Sequence, residues 1–246
     1  MRVDTQYYAE RWNKFEYANS LAMERITKIL SLMQQAGVRE RPEICDLGCG
    51  AGWATGILGA FGETTGVDLA PPESTSHRYP HCRFIAADVL EWRYSPGTFD
   101  VVVSQETIEH IERTRQSRYL DVAHGLLRPG GYLILTTPNR RTMDAFPGGG
   151  RTWSSQPIEE WLSAGELRAL LHQTGFEVLR MTSFVLGYGH HGSYRLANSA
   201  QLNRFLGHVG LQKVWRGVLA RTNFGLHLAV LCRKPKLRKI QFPSGS

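Results

Sequence analysis

Short apolar runs alternate with amphipathic stretches along most of this 246-residue chain. A short apolar run bounded by glycine, proline or polar residues predicts a buried strand, and apolar positions that recur every three or four residues predict a helix. The predicted strands are 43–47, 64–68, 83–88, 99–104, 130–137, 176–184 and 226–232. The predicted helices are 17–35, 52–59, 115–127 and 163–174. This alternation is typical of α/β proteins, in which helices cover both faces of a parallel sheet.

Two segments interrupt the alternation. Residues 138–157 are rich in Gly, Pro and Ser and show no period, so they predict a loop beyond the fifth strand. Residues 185–225, which we call the insertion, separate the last two predicted strands and contain apolar positions at helical spacing. The insertion predicts two short amphipathic helices that are interrupted near Gly207 and Gly210.

Charge is distributed unevenly along the chain, whose net charge is +7. Residues 1–177 carry 18 Lys and Arg against 22 Asp and Glu, whereas residues 178–246 carry 11 Lys and Arg and no acid. A basic segment without acids favours an anionic partner, such as a membrane surface, a nucleic acid or a phosphorylated substrate.

Composition limits the class of protein. With 42% hydrophobic residues the chain can bury a sizeable core. No apolar run reaches the roughly 20 residues that span a bilayer, and the first residues lack the apolar stretch of a secretory signal. Four cysteines are too few for a disulfide scaffold and favour a reducing cytosol. We therefore expect a cytoplasmic protein and exclude a transmembrane protein, a secreted mini-protein and a fibrous repeat.

The most informative segment is Asp46-Leu47-Gly48-Cys49-Gly50-Ala51-Gly52, which we call the glycine loop. It begins in the last two residues of the first predicted strand. Its three alternating glycines let the backbone turn tightly and approach a ligand closely. The next helix would direct its N-terminal N–H groups at that ligand. Asp68 ends the second strand, 20 positions after Gly48, where a carboxylate can accept both hydroxyls of a ribose. The pattern predicts a cofactor that contains a nucleoside.

Residues in and beside the glycine loop discriminate between such cofactors. Dinucleotide sites use G-x-G-x-x-G, which would need glycine where this chain has Trp53. Asp46 would repel a pyrophosphate, but it suits a cationic group such as the amino group of an amino acid. A nucleoside that carries an amino-acid tail is S-adenosylmethionine.

At this point the sequence resembles the class I S-adenosylmethionine-dependent methyltransferases. The resemblance covers residues 43–139 and, more loosely, 161–234. Five motifs occur in the family's order: 44–52, Gly66-Val67-Asp68-Leu69, Ala87-Asp88-Val89, Phe99-Asp100-Val101-Val102 and 126–133. The resemblance implies a doubly wound, Rossmann-like sheet of seven mostly parallel strands, with an antiparallel last strand and a helical insertion before it. We expect one domain over 1–246, with a helical cap (1–40), a cofactor-binding core (41–140) and a substrate side (141–246).

The resemblance also implies which residues hold S-adenosylmethionine. These are Asp46, Gly48, Cys49, Gly50, Asp68, Leu69, Asp88, Val89 and Gln105. The glycine loop, with Asp46, would hold the methionine portion, and Asp68 would hold the ribose. Leu69, Asp88 and Val89 would contact the adenine. Gln105 would face the sulfonium end.

Glu106, Glu109 and His110 are candidates for the chemistry, because they follow the fourth strand at the edge where α/β sheets carry their active sites. On a helical turn these three positions share one face. A neutral His110, oriented by a carboxylate, could take the proton from an acceptor hydroxyl. The alternatives are that the three side chains bind a divalent cation, which we favour less, or that His110 is structural.

The pattern Glu-x-x-Glu-His resembles the ubiquinone-pathway O-methyltransferases and also the small-RNA 2′-O-methyltransferases that use a metal. The RNA enzymes have a further downstream histidine, and His172, His190 and His191 lie in no matching motif here. We therefore expect O-methylation of a small or lipid-linked metabolite, such as a quinone precursor with a phenolic hydroxyl or a sugar. An RNA 2′-O-methyltransferase that uses Glu106, Glu109 and His110 is the alternative.

Other features leave alternatives open. Asn139 either positions substrate or caps a turn. The N-terminal aromatic residues, together with loop 144–153, either form a lid that excludes water or belong to the core. These aromatic residues are Tyr7, Tyr8, Trp12 and Phe15.

The insertion also permits several partners. Its basic residues are Arg195, Arg204, Lys213, Arg216 and Arg221. The apolar side of the insertion either packs on the domain or rests on an anionic membrane. Nucleic acid is less favoured, because aromatic residues for base stacking are sparse. The oligomeric state stays undetermined.

Overall fold

A seven-stranded sheet forms the centre of the computed structural model, which describes residues 5–14, 18–146, 156–186, 193–197 and 199–236. The strands are β1 (Glu43–Leu47), β2 (Glu63–Asp68), β3 (Arg83–Ala86), β4 (Phe99–Gln105), β5 (Leu127–Pro138), β6 (Glu177–Phe184) and β7 (His227–Arg233). Their order is β3-β2-β1-β4-β5-β7-β6. β1 to β5 pair in parallel, whereas β7 is antiparallel to both β5 and β6. The expected α/β class and antiparallel last strand are confirmed.

Helices cover both faces of the sheet. They are α1 (Thr5–Lys14), α2 (Ser20–Ala36), α3 (Trp53–Leu58), α4 (Ser74–Arg78), α5 (Gln116–Leu126), α6 (Arg140–Met143), α7 (Ala164–Gln173), α8 (Ser193–Ala197), α9 (Ala200–His208) and α10 (Gln212–Arg221). Successive residues of a strand point to opposite faces, so Val102 packs in one apolar cluster with α5 and α7, and Val103 in another with α2 and α3. No helix in the described part of the chain combines the length and apolar character that crossing a bilayer requires.

Local sequence signals account for most element boundaries. The helix predicted over 17–35 is α2, which begins where the Asn19 side chain accepts a hydrogen bond from Ala22 N (2.9 Å). It ends before Gly37, whose left-handed φ of 61° suits glycine. The third strand is shorter than predicted and stops at Ala86, so the adenine motif lies in the loop that follows.

The two irregular segments are partly helical. The predicted loop 138–157 begins with the short helix α6, and residues 147–155 lie outside the described part of the chain. In the insertion, the predicted interruption near Gly207 and Gly210 is confirmed, since α9 ends at His208 and α10 begins at Gln212. The structure adds α8, which the sequence pattern did not predict.

The fully buried Tyr119 of α5 ties together the strand ends that support the glycine loop. Its hydroxyl donates a hydrogen bond to Leu47 O (3.1 Å), at the end of β1. It also lies 2.8 Å from Ser104 Oγ on β4. One hydroxyl therefore joins two parallel strands at the edge where the glycine loop begins.

Asp46 is a buried carboxylate on β1, with 1% of its surface exposed. Thr55 Oγ1 of α3 donates to Asp46 Oδ2 (2.7 Å), while Asp46 Oδ1 has no hydrogen-bond partner among the described residues. Burial raises the pKa of Asp46 to about 6, although the Thr55 hydrogen bond opposes the shift. The folded state therefore favours the protonated carboxyl more than the unfolded state does.

The hydroxyl of Tyr119 should contribute measurably to stability. Tyr119→Phe leaves Leu47 O and Ser104 Oγ without their buried partner, so we expect the free energy of unfolding to fall by about 1–3 kcal/mol. Urea denaturation measures this loss. Tyr132→Phe on β5 is the matched control, since this partly buried side chain forms no hydrogen bond within the described residues. Equal effects of the two substitutions would contradict the structural role of Tyr119.

Asp46 should make stability depend on pH. A raised carboxyl pKa means that the folded protein loses stability as pH rises from about 4, the unfolded pKa, to about 6. Asn at position 46 cannot ionise. The free energy of unfolding of Asp46→Asn should therefore rise relative to that of wild type across this range, by about 3 kcal/mol in total. Denaturation at several pH values measures the difference, with exposed Asp121→Asn as the control. A difference that stays constant across this range would contradict the buried charge.

Candidate active site

A cavity of about 440 Å³ opens at the carboxyl ends of β1, β2 and β4. Parallel strands bring residues that are distant in the sequence to this one edge. Eight of the nine predicted cofactor-binding residues line the cavity: Gly48, Cys49, Gly50, Asp68, Leu69, Asp88, Val89 and Gln105. The sequence prediction therefore converges on one place in the fold.

The glycine loop approaches the cavity with its backbone. Gly48 and Gly50 have φ values of 86° and 54°, which residues with a side chain rarely adopt. A Cβ atom at Gly48 would overlap the side chain of Thr107, and one at Gly50 would lie 3.4 Å from the ring of Trp12. Glycine at these two positions therefore leaves room for Thr107 and Trp12, which line the same cavity.

Asp68 holds the glycine loop against the end of β2. Gly50 N donates to Asp68 Oδ2 (2.9 Å), and Ala70 N donates to Oδ1 (3.3 Å). Trp12 Nε1 of α1 also donates to Oδ1 (3.1 Å). Burial raises the pKa of this carboxyl, and these hydrogen bonds oppose the shift. Since a carboxylate has about four acceptor positions, a diol that takes two of them would displace one present donor.

Asp46 is the one predicted cofactor residue that the structure does not bring to the cavity. Its side chain turns toward α3, where it accepts the Thr55 hydrogen bond. In this structure the Asp46 side chain therefore points away from the cavity, and its expected part in holding the methionine portion stays a prediction.

Two side-chain oxygens at the end of β4 lack a hydrogen-bond partner among the described residues. They are Gln105 Oε1 and Glu106 Oε1, and both residues line the cavity. Glu106 Oε2 lies 2.7 Å from His227 Nδ1 of β7 and 3.8 Å from Arg25 Nη1 of α2. Burial alone would raise the pKa of Glu106, but His227 and Arg25 outweigh it and lower this pKa to about 2. The cavity wall thus carries a carboxylate that stays ionised.

His110 lines the same cavity and is oriented by its neighbours. Its Nδ1 lies 2.9 Å from Ile158 O, and its Nε2 lies 2.6 Å from Gln156 Nε2. A carbonyl oxygen can only accept, so Nδ1 carries the proton of the neutral ring and Nε2 carries the lone pair. Burial lowers the pKa of His110, partly offset by Glu159. The ring is therefore neutral near physiological pH.

The prediction that Glu106, Glu109 and His110 share one helical face is wrong. Glu106 has a left-handed φ of 50°, and only 108–110 form a short 3₁₀ turn. Glu109 is buried away from the cavity, where its Oε2 accepts a hydrogen bond from Thr137 Oγ1 (3.0 Å). Burial, together with the charge of Glu106, raises the pKa of Glu109 well above its usual range. Burial thus favours the protonated form of Glu109, whose Oε1 lies 4.0 Å from His110 Nε2.

The different positions of Glu106 and Glu109 also bear on the alternative that these residues bind a metal ion. Within the described residues, no group of three or more His, Cys, Asp or Glu side chains is arranged to hold a metal ion. The Glu106 carboxylate faces His227, while Glu109 faces Thr137. His190 and His191 lie outside the described residues.

The N-terminal helix covers the cavity. Tyr8 and Trp12 of α1 line it, as the lid alternative expects, and burial raises the pKa of Tyr8 to about 12. Phe15 and most of loop 144–153 lie outside the described residues.

Asn139, the other residue with two open interpretations, is fully buried. Its Nδ2 donates to Asn223 O (2.9 Å) and Gly225 O (3.0 Å). Asn139 thus anchors the end of the insertion and does not face the cavity.

Sequence reasoning missed the lining residues that α2 and the segment before α7 supply. Arg25 of α2, Gln156 and Ile158 all line the cavity. Arg25 could have been found, because it stands three residues after Ala22 and one before Ile26, on the buried face of the helix. Gln156 and Ile158 follow an aperiodic segment, and no local signal marks them. His227 was also missed. It is the first residue of the apolar strand β7, and a single histidine in such a strand indicates a polar partner, which is Glu106 here.

Curated relatives resemble part of the chain. A protein of Mycolicibacterium smegmatis named probable S-adenosylmethionine-dependent methyltransferase is 30% identical over 141 residues, covering 55% of this chain and 52% of that protein. The ubiquinone biosynthesis O-methyltransferase of Ruegeria pomeroyi is 28% identical over 172 residues, covering 59% of this chain and 66% of the enzyme. The chain thus spans about half the length of the first relative and 66% of the length of the second.

A solved structure has the same fold. The 1,6-didemethyltoxoflavin-N1-methyltransferase of Burkholderia thailandensis, with bound 1,6-didemethyltoxoflavin and S-adenosylhomocysteine, matches with a TM-score of 0.61. The match covers 94% of this chain and 87% of that chain at 17% identity. At this identity the likeness shows the fold alone.

The family described as methyltransferase domain matches residues 16–181, which is more than half of the chain. This match contains the glycine loop, the end of β2 with Asp68, and the end of β4 with His110 beyond it. The chain therefore belongs to the family of S-adenosylmethionine-dependent methyltransferase domains, with their class I fold.

Proposed function

We propose that this chain transfers a methyl group from S-adenosylmethionine to a hydroxyl oxygen of a small or lipid-linked acceptor, such as a phenol, a quinone precursor or a sugar. The observation that carries the proposal is the convergence of the glycine loop, Asp68 and His110 on one cavity. A nucleoside site and a neutral imidazole then share one enclosed space. Both parts are needed for methyl transfer to oxygen.

The cavity fits the cofactor in size and in charge. Its volume of about 440 Å³ falls in the range of roughly 300–1,000 Å³ that is usual for ligand pockets. The Glu106 carboxylate stays ionised, and its residue lines the cavity, which suits a sulfonium or an ammonium group. Asp68 supplies the acceptor oxygens for a ribose diol, in exchange for the hydrogen bond of Trp12.

S-adenosylmethionine, when bound, supplies an electrophilic methyl group on a positively charged sulfur. The residues of this chain have two tasks. The glycine loop and Asp68 hold the cofactor in position, and such positioning accounts for much of the rate enhancement in transfer reactions. His110 Nε2 takes the proton of the acceptor hydroxyl, which would replace the Gln156 amide at that nitrogen.

Oxygen is favoured as the acceptor atom by the base and by the relatives. A hydroxyl must lose a proton during methyl transfer, and the lone pair of His110 Nε2 can accept it. Relatives that act in ubiquinone biosynthesis are O-methyltransferases, at 28% identity or less. The RNA alternative depends on a metal held by Glu106, Glu109 and His110, and the separate partners of the two carboxylates give it no support.

Asp68→Ala should weaken the binding of S-adenosylhomocysteine by about tenfold or more, since a hydrogen bond to a charged group contributes about 1.5–3 kcal/mol. Isothermal titration calorimetry measures the change. Glu63→Gln, at the opposite and exposed end of β2, is the control and should bind like wild type. If Asp68→Ala binds as tightly as wild type, Asp68 does not hold the ribose.

His110→Ala should lower kcat for methyl transfer to a catechol by about 10²- to 10⁴-fold, as expected for a lost general base. Binding of S-adenosylhomocysteine should be unchanged. His172→Ala on the exposed end of α7 is the matched control. Because burial lowers the pKa of His110, wild-type activity should persist below about pH 6.5, where an ordinary histidine is half protonated. Full activity of His110→Ala would contradict the role of base.

A further inference from the structure

Exposed apolar side chains are concentrated on the two longer helices of the insertion. Eight large hydrophobic side chains are exposed in the described chain, and five of them lie on α9, α10 and the turn between them. We call these five the insertion patch: Phe205, Val209, Leu211, Val214 and Val218. Val214 and Phe205 are 63% and 61% exposed. Scattered surface hydrophobics are normal, but five of the eight within residues 205–218 indicate a docking surface.

The insertion patch is not the side on which these helices pack against the domain. Leu219 of α10 is buried at 5% exposure, and α10 lies against β6. Trp215 Nε1 points the same way and donates to Ala197 O (3.5 Å). Val214 and Val218 are four residues apart and share another face of α10. The helices thus have one apolar side for the domain and a second that the described residues leave uncovered.

Positive charge borders the insertion patch. Arg204, Lys213, Arg216 and Arg221 are all exposed. Within the described residues none of them forms an ion pair, and the sequence contains no acid after Glu177. An apolar stripe bordered by basic residues is the pattern of helices that lie in the interface of a bilayer.

This chemistry favours an anionic membrane over other partners. A second copy related by two-fold symmetry would bring two acid-free basic segments together, and these would repel each other. RNA binding uses aromatic side chains for stacking, whereas four of the five patch residues are aliphatic. Aliphatic side chains gain free energy from entering hydrocarbon, and Lys and Arg gain from anionic headgroups.

We propose that α9 and α10 dock this protein on the surface of an anionic membrane, with the insertion patch at the boundary between headgroups and acyl chains. Lys213, Arg216 and their basic neighbours contact lipid phosphates. This contact is peripheral, and it does not depend on which acceptor is methylated.

The two ends of the insertion join the sheet close to the cavity wall. The insertion leaves the sheet after Phe184 and returns at His227, two residues that face each other in the β6–β7 ladder. His227 in turn lies 2.7 Å from Glu106 on the cavity wall.

Flotation of the purified protein with vesicles tests the proposal. One set of vesicles contains phosphatidylcholine alone and the other adds phosphatidylglycerol. Wild type should float with the phosphatidylglycerol vesicles and should bind them less as salt is raised. The double variant Phe205→Ser/Val214→Ser should lose about tenfold or more in partitioning, through lost apolar burial. Lys213→Gln and Arg216→Gln should each lose about fivefold, equivalent to about 1 kcal/mol.

Matched controls separate the insertion patch from general surface effects. Phe61→Ser removes an apolar side chain that is 49% exposed after α3, and Arg83→Gln removes an exposed charge on β3; both should float like wild type. All variants should keep the wild-type Tm and affinity for S-adenosylhomocysteine, so that a failure of the docking surface is distinct from a failure of the proposed function.

Three results would overturn the proposal. The first is that wild type fails to bind phosphatidylglycerol vesicles at low salt. The second is that the patch variants and the Phe61→Ser control lose binding equally. The third is that the insertion patch serves another partner: wild type binds a single-stranded RNA but no vesicle, or it sediments as an oligomer that Val214→Ser dissociates.

Discussion

The hydrogen bond from Gly50 N to Asp68 Oδ2 (2.9 Å) joins the two halves of the cofactor cavity. It is available because β1 and β2 are adjacent and parallel, so that the glycine loop and the end of β2 leave the sheet at the same edge. Glycine suits position 50, where φ is 54°. The shape of the loop and the position of the Asp68 carboxylate are therefore linked by this contact.

The pKa values of four carboxyl groups near this edge are shifted in different directions because their partners differ. Burial raises the pKa of Asp46, Asp68 and Glu109, and for Asp46 this pKa reaches about 6. For Glu106 burial acts in the same direction, but His227 and Arg25 reverse it and lower its pKa to about 2. Glu106 thus carries a negative charge on the cavity wall over the whole physiological pH range. Beside it, a neutral His110 keeps its lone pair.

The chain also separates two kinds of surface along its sequence. The acidic residues all occur up to Glu177, in the part that builds most of the cavity, whereas the insertion is purely basic. Asn139 connects the two parts, because its buried amide donates to Asn223 O and Gly225 O, where the insertion returns to the sheet. The apolar helices of the insertion are therefore anchored at the edge of the sheet that carries the active site.

The sequence by itself determined the α/β alternation, the glycine loop and the residues that converge on the cavity, because strand periodicity and glycine requirements are local properties. It also indicated His110, whose position follows from the end of β4. Only the tertiary structure decided that Asp46 turns toward Thr55, that Glu109 is buried and faces β5, and that Arg25 and His227 flank Glu106. These outcomes depend on contacts between segments far apart in the chain, and no local pattern encodes the distance between them.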